Sequence, residues 1–275
     1  MSRFSPFASS SGPWDPSHRL ETSWLLPPAL LAAVRALFGI YIFITLIFVI
    51  AWDCEQASLG GCATAGDQFS YFTVLTYWGL AFYFAVAAVH TATYAFTGAA
   101  LLDRFPRALQ HLHALFYSTV TVFPFVVTAV YWGKLYAGPW FPVMFDAWRN
   151  VSQHAMNSGF ALFEIVVART VPQPWVHIAG LITLLALYLA LAYITRATKG
   201  FYVYSFLDPA QKGGSGLIAA YVFGIAVGCA LVFAIVQGLI WVRRWVTETK
   251  LGKDGKFAHA DRQAVDIEMV QPSKA

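Results

Sequence analysis

The chain has 275 residues, of which 58% are hydrophobic and 12% charged, with a formal net charge of +4. A soluble domain carries about 25% charged residues, so an ordinary soluble globular protein is excluded. The basic residues gather at the edges of apolar runs and in the tail, which is no footprint for nucleic acid. The apolar residues come in long runs rather than short alternating segments, which excludes a β-barrel.

Residues 1–28 are polar and rich in Ser and Pro, with no basic segment leading into a short apolar core, so no signal peptide is expected. Six apolar runs come next, at about 29–51, 70–96, 112–134, 152–171, 176–197 and 216–242, each near the roughly 20 residues that cross a bilayer. The fold expected is all-α: a polytopic membrane protein of about six transmembrane helices in one bundle. Residues 1–28 form a polar N-terminal segment, 29–242 the membrane domain and 243–275 a charged tail, disordered toward its end. Of the 18 Lys and Arg, Arg35 lies within the first span, near its N-terminal end, where it can snorkel. Twelve others fall on the side of the N-terminus and five on the opposite side. The bias places both termini in the cytosol.

The loop after the first span has no Lys or Arg and holds Cys54 and Cys62. In this topology it faces an oxidising compartment, where a Cys54–Cys62 disulfide can persist; the alternative is two free thiols. The second span opens with Thr73 and Thr76. In the third, Thr119 and Thr121 read as helix glue. Asn150-Val151-Ser152 matches a glycosylation pattern but lies too close to the membrane for occupancy to be expected.

The fourth run holds the most chemistry, with His154, Asn157, Ser158 and Glu164. Polar groups in hydrocarbon are costly unless they pair or line a wet cavity. At helical spacing the four form one polar stripe. Two readings compete: a functional site, or hydrogen bonds that glue helices together. The loop Gly200-Phe-Tyr-Val-Tyr-Ser-Phe-Leu-Asp-Pro209 faces the same compartment as Thr73 and His154. One pocket could then hold a hydroxyl, an imidazole and the aromatic residues Tyr202 and Tyr204. An activated Thr can transfer acyl groups when a His takes its proton and hydrogen-bond donors hold the oxyanion.

In the sixth span Gly216, Ala220, Gly224 and Gly228 form a small-residue stripe that reads as packing, and Gln237 reads as an interhelical hydrogen-bonder. His90, His111, His113 and His177 gather near one membrane face. A ladder of two haems fails, because it needs ligands on both sides; a single haem on that side and ordinary interfacial histidine both stay open, and the second is the simpler reading. No zincin, nucleophile-elbow or Walker pattern occurs. No metal site and no cofactor is expected, and the partners expected are membrane lipids, with no nucleic acid.

Three stretches resemble one family. Ser70-Tyr-Phe-Thr-Val-Leu-Thr76 is similar to its Phe-x-Thr start. Ser152-Gln-His-Ala-Met-Asn-Ser158 with Phe163-Glu164-Ile165 is similar to its Asn-His-x-x-His-Thr…Glu segment. Gly200-Phe-Tyr-Val-Tyr-Ser-Phe-Leu207 is similar to its Gly-x-Trp-Val-Tyr-Pro-Phe-Leu segment. Over about 70–245 the chain thus resembles the androgen-induced-gene family of multipass membrane proteins, the androgen-dependent TFPI-regulating protein type, as a diverged branch. The resemblance implies a threonine hydrolase acting on fatty acid esters of hydroxy fatty acids. It carries the nucleophile onto Thr73. The family's second His falls on Asn157, whose amide cannot act as a base near neutral pH, so the base becomes His154. Asn157, Ser158, Glu164, Tyr202 and Tyr204 would support the substrate pocket. The membrane implied is the endoplasmic reticulum or another endomembrane. The rival expectation is a non-enzymatic lipid-binding or scaffold protein.

Overall fold

A computed structural model describes residues 14–210 and 213–258. The long apolar runs are helical, because a helix satisfies its own backbone hydrogen bonds where lipid offers none. Helix α1 spans Pro28–Glu55 and opens on a proline, whose missing N–H costs nothing in the first turn. A short α2, Gly61–Asp67, precedes α3, Phe72–Thr97. Gly98 ends α3 at φ 71°, donating its N–H to the Tyr94 carbonyl at 2.8 Å; this left-handed cap suits glycine. Helix α4, Arg107–Val130, continues into a π-helical turn at Tyr131–Leu135. Helix α5, Met144–Val151, a π-helical turn at Ser152–Met156, and α6, Asn157–Val166, form one continuous stretch. Helices α7, His177–Lys199, and α8, Gly214–Arg244, complete the bundle, with a last π-helical turn at Trp245–Lys250.

Five of the stretches, built on α1, α3, α4, α7 and α8, are long and apolar enough to cross a membrane. The predicted fourth span is not among them: its helix stops at Val166 and its polar residues lower its apolarity. It packs against α4 and α8. The protein is a multipass membrane protein, and among the described residues no β-strand forms, only isolated bridges.

Helices α1 and α3 pack closely along their length. Gly39 makes this possible, since a Cβ there would stand 3.3 Å from the Ala85 amide nitrogen. The shared core is aliphatic and aromatic, with Ile42, Leu46, Leu80, Phe84, Tyr117 and Phe233 fully or almost fully buried.

The two ends of the bundle differ. At one end a disulfide joins Cys54 to Cys62 beside α2. At the other, Ser23 forms bridges with both Ala168 and Lys256. There Arg19 pairs with Glu248 at 2.8 Å, and the Arg169 guanidinium lies 4.8 Å from the centre of the Phe257 ring. The segment from residue 14 and the tail up to residue 258 therefore dock on the same end. The disorder expected further along the tail falls outside the described residues.

Three expectations need correction. Arg35 does not snorkel: it is 1% exposed and pairs with Glu164 inside the bundle. The small-residue stripe of α8 meets no other helix among the described residues: a Cβ at Gly216, Gly224 or Gly228 would have nothing within 4 Å. Thr119 and Thr121 bond to carbonyls of their own helix at Phe116 and Tyr117 instead of gluing neighbours. Gln237 does tie elements together, accepting the Gln173 backbone N–H at 2.5 Å.

Candidate functional site

Thr73 is the second residue of α3, at the disulfide end. The α3 N-cap, Tyr71, makes no side-chain capping bond, and the first helical bond runs from the Leu75 N–H to the Tyr71 carbonyl at 3.1 Å. The amides of residues 72–74 consequently have no acceptor within the helix. Burial raises the pKa of the Tyr204 hydroxyl, keeping it a neutral phenol that hydrogen-bonds Tyr188 and Thr73. Tyr188 donates in turn to the Ser70 carbonyl at 3.0 Å. A relay of hydroxyls thus holds the loop after α7 against the start of α3.

His154 sits in the π-helical turn between α5 and α6 and is 8% exposed. Its ring stacks on Tyr131, with centroids 3.5 Å apart and planes at 14°. Tyr131 is fixed by its hydroxyl, which donates to Asn150 Oδ1 at 2.6 Å. The His154 Nδ1 lies 3.0 Å from the Asn150 carbonyl. A carbonyl only accepts, so Nδ1 carries the proton and Nε2 is the basic nitrogen. The Trp132 indole N–H donates to the His154 carbonyl at 2.8 Å, tying the turn to the end of α4.

Thr73 and His154 line one cavity of about 520 Å³ at the disulfide end, together with Tyr131, Asn150 and Tyr204. Charged residues rim it: Arg149 stands 3.6 Å from Asp53 and 3.0 Å from Asp146. Asp53 also accepts a bond from the Gln68 amide. A second cavity of about 250 Å³ shares the walls Thr73, Tyr131, Leu135 and Tyr204. Its remaining lining is apolar, with Val126, Ile182, Leu185, Leu189 and Val222. Thr73 therefore stands where a polar chamber meets an apolar one.

The other stripe residues face elsewhere. Asn157 accepts from the Thr128 hydroxyl at 3.1 Å and donates to the Pro124 carbonyl at 3.3 Å, while Ser158 lies 2.7 Å from the Thr128 hydroxyl. Both serve the α4–α6 contact, and neither lines the polar cavity. Glu164 takes two bonds from Arg35, at 2.8 and 2.7 Å, and one from the Tyr83 hydroxyl at 3.2 Å, and is fully buried. Tyr202 lies under the Arg196 guanidinium at 4.8 Å and lines neither cavity. The single stripe inferred from spacing is split because the π-helical turn adds a residue to one turn and rotates every later residue about the helix axis.

Tyr131, Asn150, Gln153 and Arg149 also line the polar cavity, although helical spacing marks none of them. Tyr131 was within reach of topology, since the third run ends at the depth where the fourth begins. Of the histidines of the opposite end, His111 meets Trp14 edge-on at 6.3 Å and His177 bonds the Ser118 hydroxyl at 2.7 Å, while the rings of His90 and His113 meet at 5.3 Å. Among the described residues no cluster of three His, Cys, Asp or Glu could hold a metal ion.

Comparison with curated proteins and with solved structures finds no match. A family model, described as FAR-17a/AIG1-like protein, matches residues 34–239. That range contains every helix from α1 to α7 in whole or large part, both cavities and the loop of Tyr204, and the chain belongs to the FAR-17a/AIG1-like family, the androgen-induced-gene family.

Proposed function

We propose that the protein is a lipid ester hydrolase in which Thr73 is the nucleophile and His154 the general base. The observation that carries this reading is the placement of both residues on one cavity, with an apolar chamber opening from the same threonine. The His154 Nε2, directly or through one water, takes the Thr73 proton as Oγ1 attacks the ester carbonyl. The carbonyl π electrons move onto oxygen, and the oxyanion is held by the first-turn amides of Thr73 and Val74 in α3 and by the Tyr204 hydroxyl, which turns its one proton from Tyr188 to the new charge. The intermediate collapses, the C–O bond to the alcohol breaks, and the imidazolium protonates the leaving alkoxide. Water, deprotonated by His154, then attacks the acyl-threonine; the bond from the acyl carbon to Thr73 Oγ1 breaks, the imidazolium returns its proton to Oγ1, and the fatty acid is released. The acyl chain lies in the apolar chamber, and the hydroxy fatty acid leaves through the polar one. Fatty acid esters of hydroxy fatty acids, the substrates implied by the family resemblance, fit this division.

This reading places both termini in the cytosol and the site on the lumenal face of the endoplasmic reticulum or another endomembrane. The excess of Lys and Arg on the terminal side supports it, as does a disulfide at the opposite end.

A second reading has its own observation. Asn157, Ser158 and Glu164 are all consumed by contacts between helices, as in a non-enzymatic lipid-binding or scaffold protein whose polar residues serve assembly. Labelling of the purified protein with a long-chain fluorophosphonate separates the two. The hydrolase reading expects adduct on Thr73 and loss of both label and ester turnover in Thr73→Ala and His154→Gln. Equal turnover in wild type and the two folded variants removes these residues from the chemistry and leaves the assembly reading.

A further inference from the structure

Helices α3, α4 and α7 leave a groove of about 930 Å³ between them, separate from the polar cavity at His154. All three helices are long and apolar enough to cross a membrane, so the groove's surroundings are hydrocarbon. Its walls are largely apolar, with Leu112, Phe116, Val120, Leu184 and Leu187 among them. No Lys or Arg is among its lining residues, which leaves a phosphate head group without a counter-charge.

Two imidazoles interrupt this lining. His90 and His113 are 7% and 9% exposed, and their rings meet edge to face at 5.3 Å. Buried His90 Nδ1 has no hydrogen-bond partner among the described residues. Leaving such a group unmatched is unfavourable, and a ligand that brings a hydrogen-bonding group there removes the penalty. Phe72 and Tyr188, toward the disulfide end, line both this groove and the apolar chamber at Thr73. Phe72 and His90 are 18 residues apart on α3, which is about 27 Å along the helix axis, close to the full depth of a bilayer's hydrocarbon core of about 30 Å.

We propose that the groove binds a single-chain lipid carboxylic acid, its chain lying along α4 between α3 and α7 and its carboxyl group hydrogen-bonded at His90 and His113. A carboxyl group suits this pair because it accepts at two oxygens and donates when protonated, while each neutral imidazole offers one donor and one acceptor. The binding site stands independently of the hydrolase reading. If that reading also holds, the shared wall of Phe72 and Tyr188 places the groove beside the point where a fatty acid is released.

The test is photolabelling of the full chain, reconstituted in phosphatidylcholine nanodiscs, with an alkyne-tagged diazirine analogue of palmitic acid. The result expected is saturable labelling of peptides from α3, α4 and α7. Gly79→Leu is the blocking variant, because Gly79 lines the groove and a Cβ there meets nothing within 4 Å. It should lower labelling by tenfold or more, as should His90→Phe with His113→Phe. Thr73→Ala should label like wild type, which keeps this result distinct from the fate of the hydrolase reading. Excess palmitic acid should compete, whereas palmityl alcohol and lysophosphatidylcholine should not. Labelling that ignores Gly79→Leu, that maps outside the three helices, or that palmityl alcohol or lysophosphatidylcholine suppresses equally overturns the proposal.

Discussion

His154 and Asn157 stand three residues apart yet meet different neighbours. One turns to the cavity and Tyr131, the other to Pro124 and Thr128 on α4. Asn157→Ala should therefore lower stability by about 1–3 kcal/mol, the cost of stranding buried hydrogen-bonding groups, while leaving fluorophosphonate labelling intact; thermal melting in detergent beside the labelling assay checks both. Tyr204→Phe removes the hydroxyl that reaches Thr73. If that hydroxyl holds developing charge, turnover should fall by about 10- to 100-fold, the equivalent of roughly 1.5–3 kcal/mol, with the melting temperature little changed. Glu164 was legible as a buried acid, but its partner was not, because Arg35 lies 129 residues away in sequence. Glu164→Ala should cost about 3–5 kcal/mol by stranding the arginine, and an Arg35→Met, Glu164→Leu double variant should recover most of that loss. A double variant no more stable than the single one would show that the pair is not coupled in this way.

At the scale of elements, the existence and approximate place of five spans could be read from hydropathy alone, because a run of apolar residues of that length has few other stable fates. The fourth was legible as helical but not as interrupted. A π-helical turn depends on how Tyr131, Trp132 and Asn150 bond around it, and spacing alone carries no trace of those partners. The cysteine pair was legible from its place in a loop without Lys or Arg, where the charge bias predicts an oxidising compartment. It closes a loop with a sequence separation of 8, and a bridge over so short a loop stabilises by about 2–3 kcal/mol. Reductant should accordingly lower the melting temperature of wild type and leave unchanged a Cys54→Ser, Cys62→Ser variant already shifted by the same amount. Equal sensitivity of both proteins to reductant would show that the bridge does not hold this end together.

Across the whole molecule, the terminal segments form a cap on one end of the bundle, and this cap carries a pH dependence. Glu21 is 1% exposed and its Oε2 has no hydrogen-bond partner among the described residues. Burial, reinforced by Asp15 and opposed by Arg35, pushes its pKa from 4.5 up to about 8. The folded protein therefore holds this proton across a window in which the unfolded chain has lost it. Stability should fall as pH rises from about 4.5 through 8, since the native state binds more protons there. Glu21→Gln should flatten that slope, as read from melting temperatures at pH 5, 6.5 and 8; an unchanged slope would assign the dependence to another group. The sequence by itself determined the class of molecule, the number and rough place of its apolar runs, the two cysteines facing one compartment, and Thr73 and His154 as the residues to watch. These come from local composition and from a bilayer's intolerance of unpaired polar groups. Tertiary structure alone decided that Glu164 belongs to Arg35, that Asn157 and Ser158 belong to α4, that Tyr131 supports His154, and that the glycine stripe of α8 faces away from every other described helix. Each of those depends on which helix faces which, a choice set by packing between segments far apart in the chain.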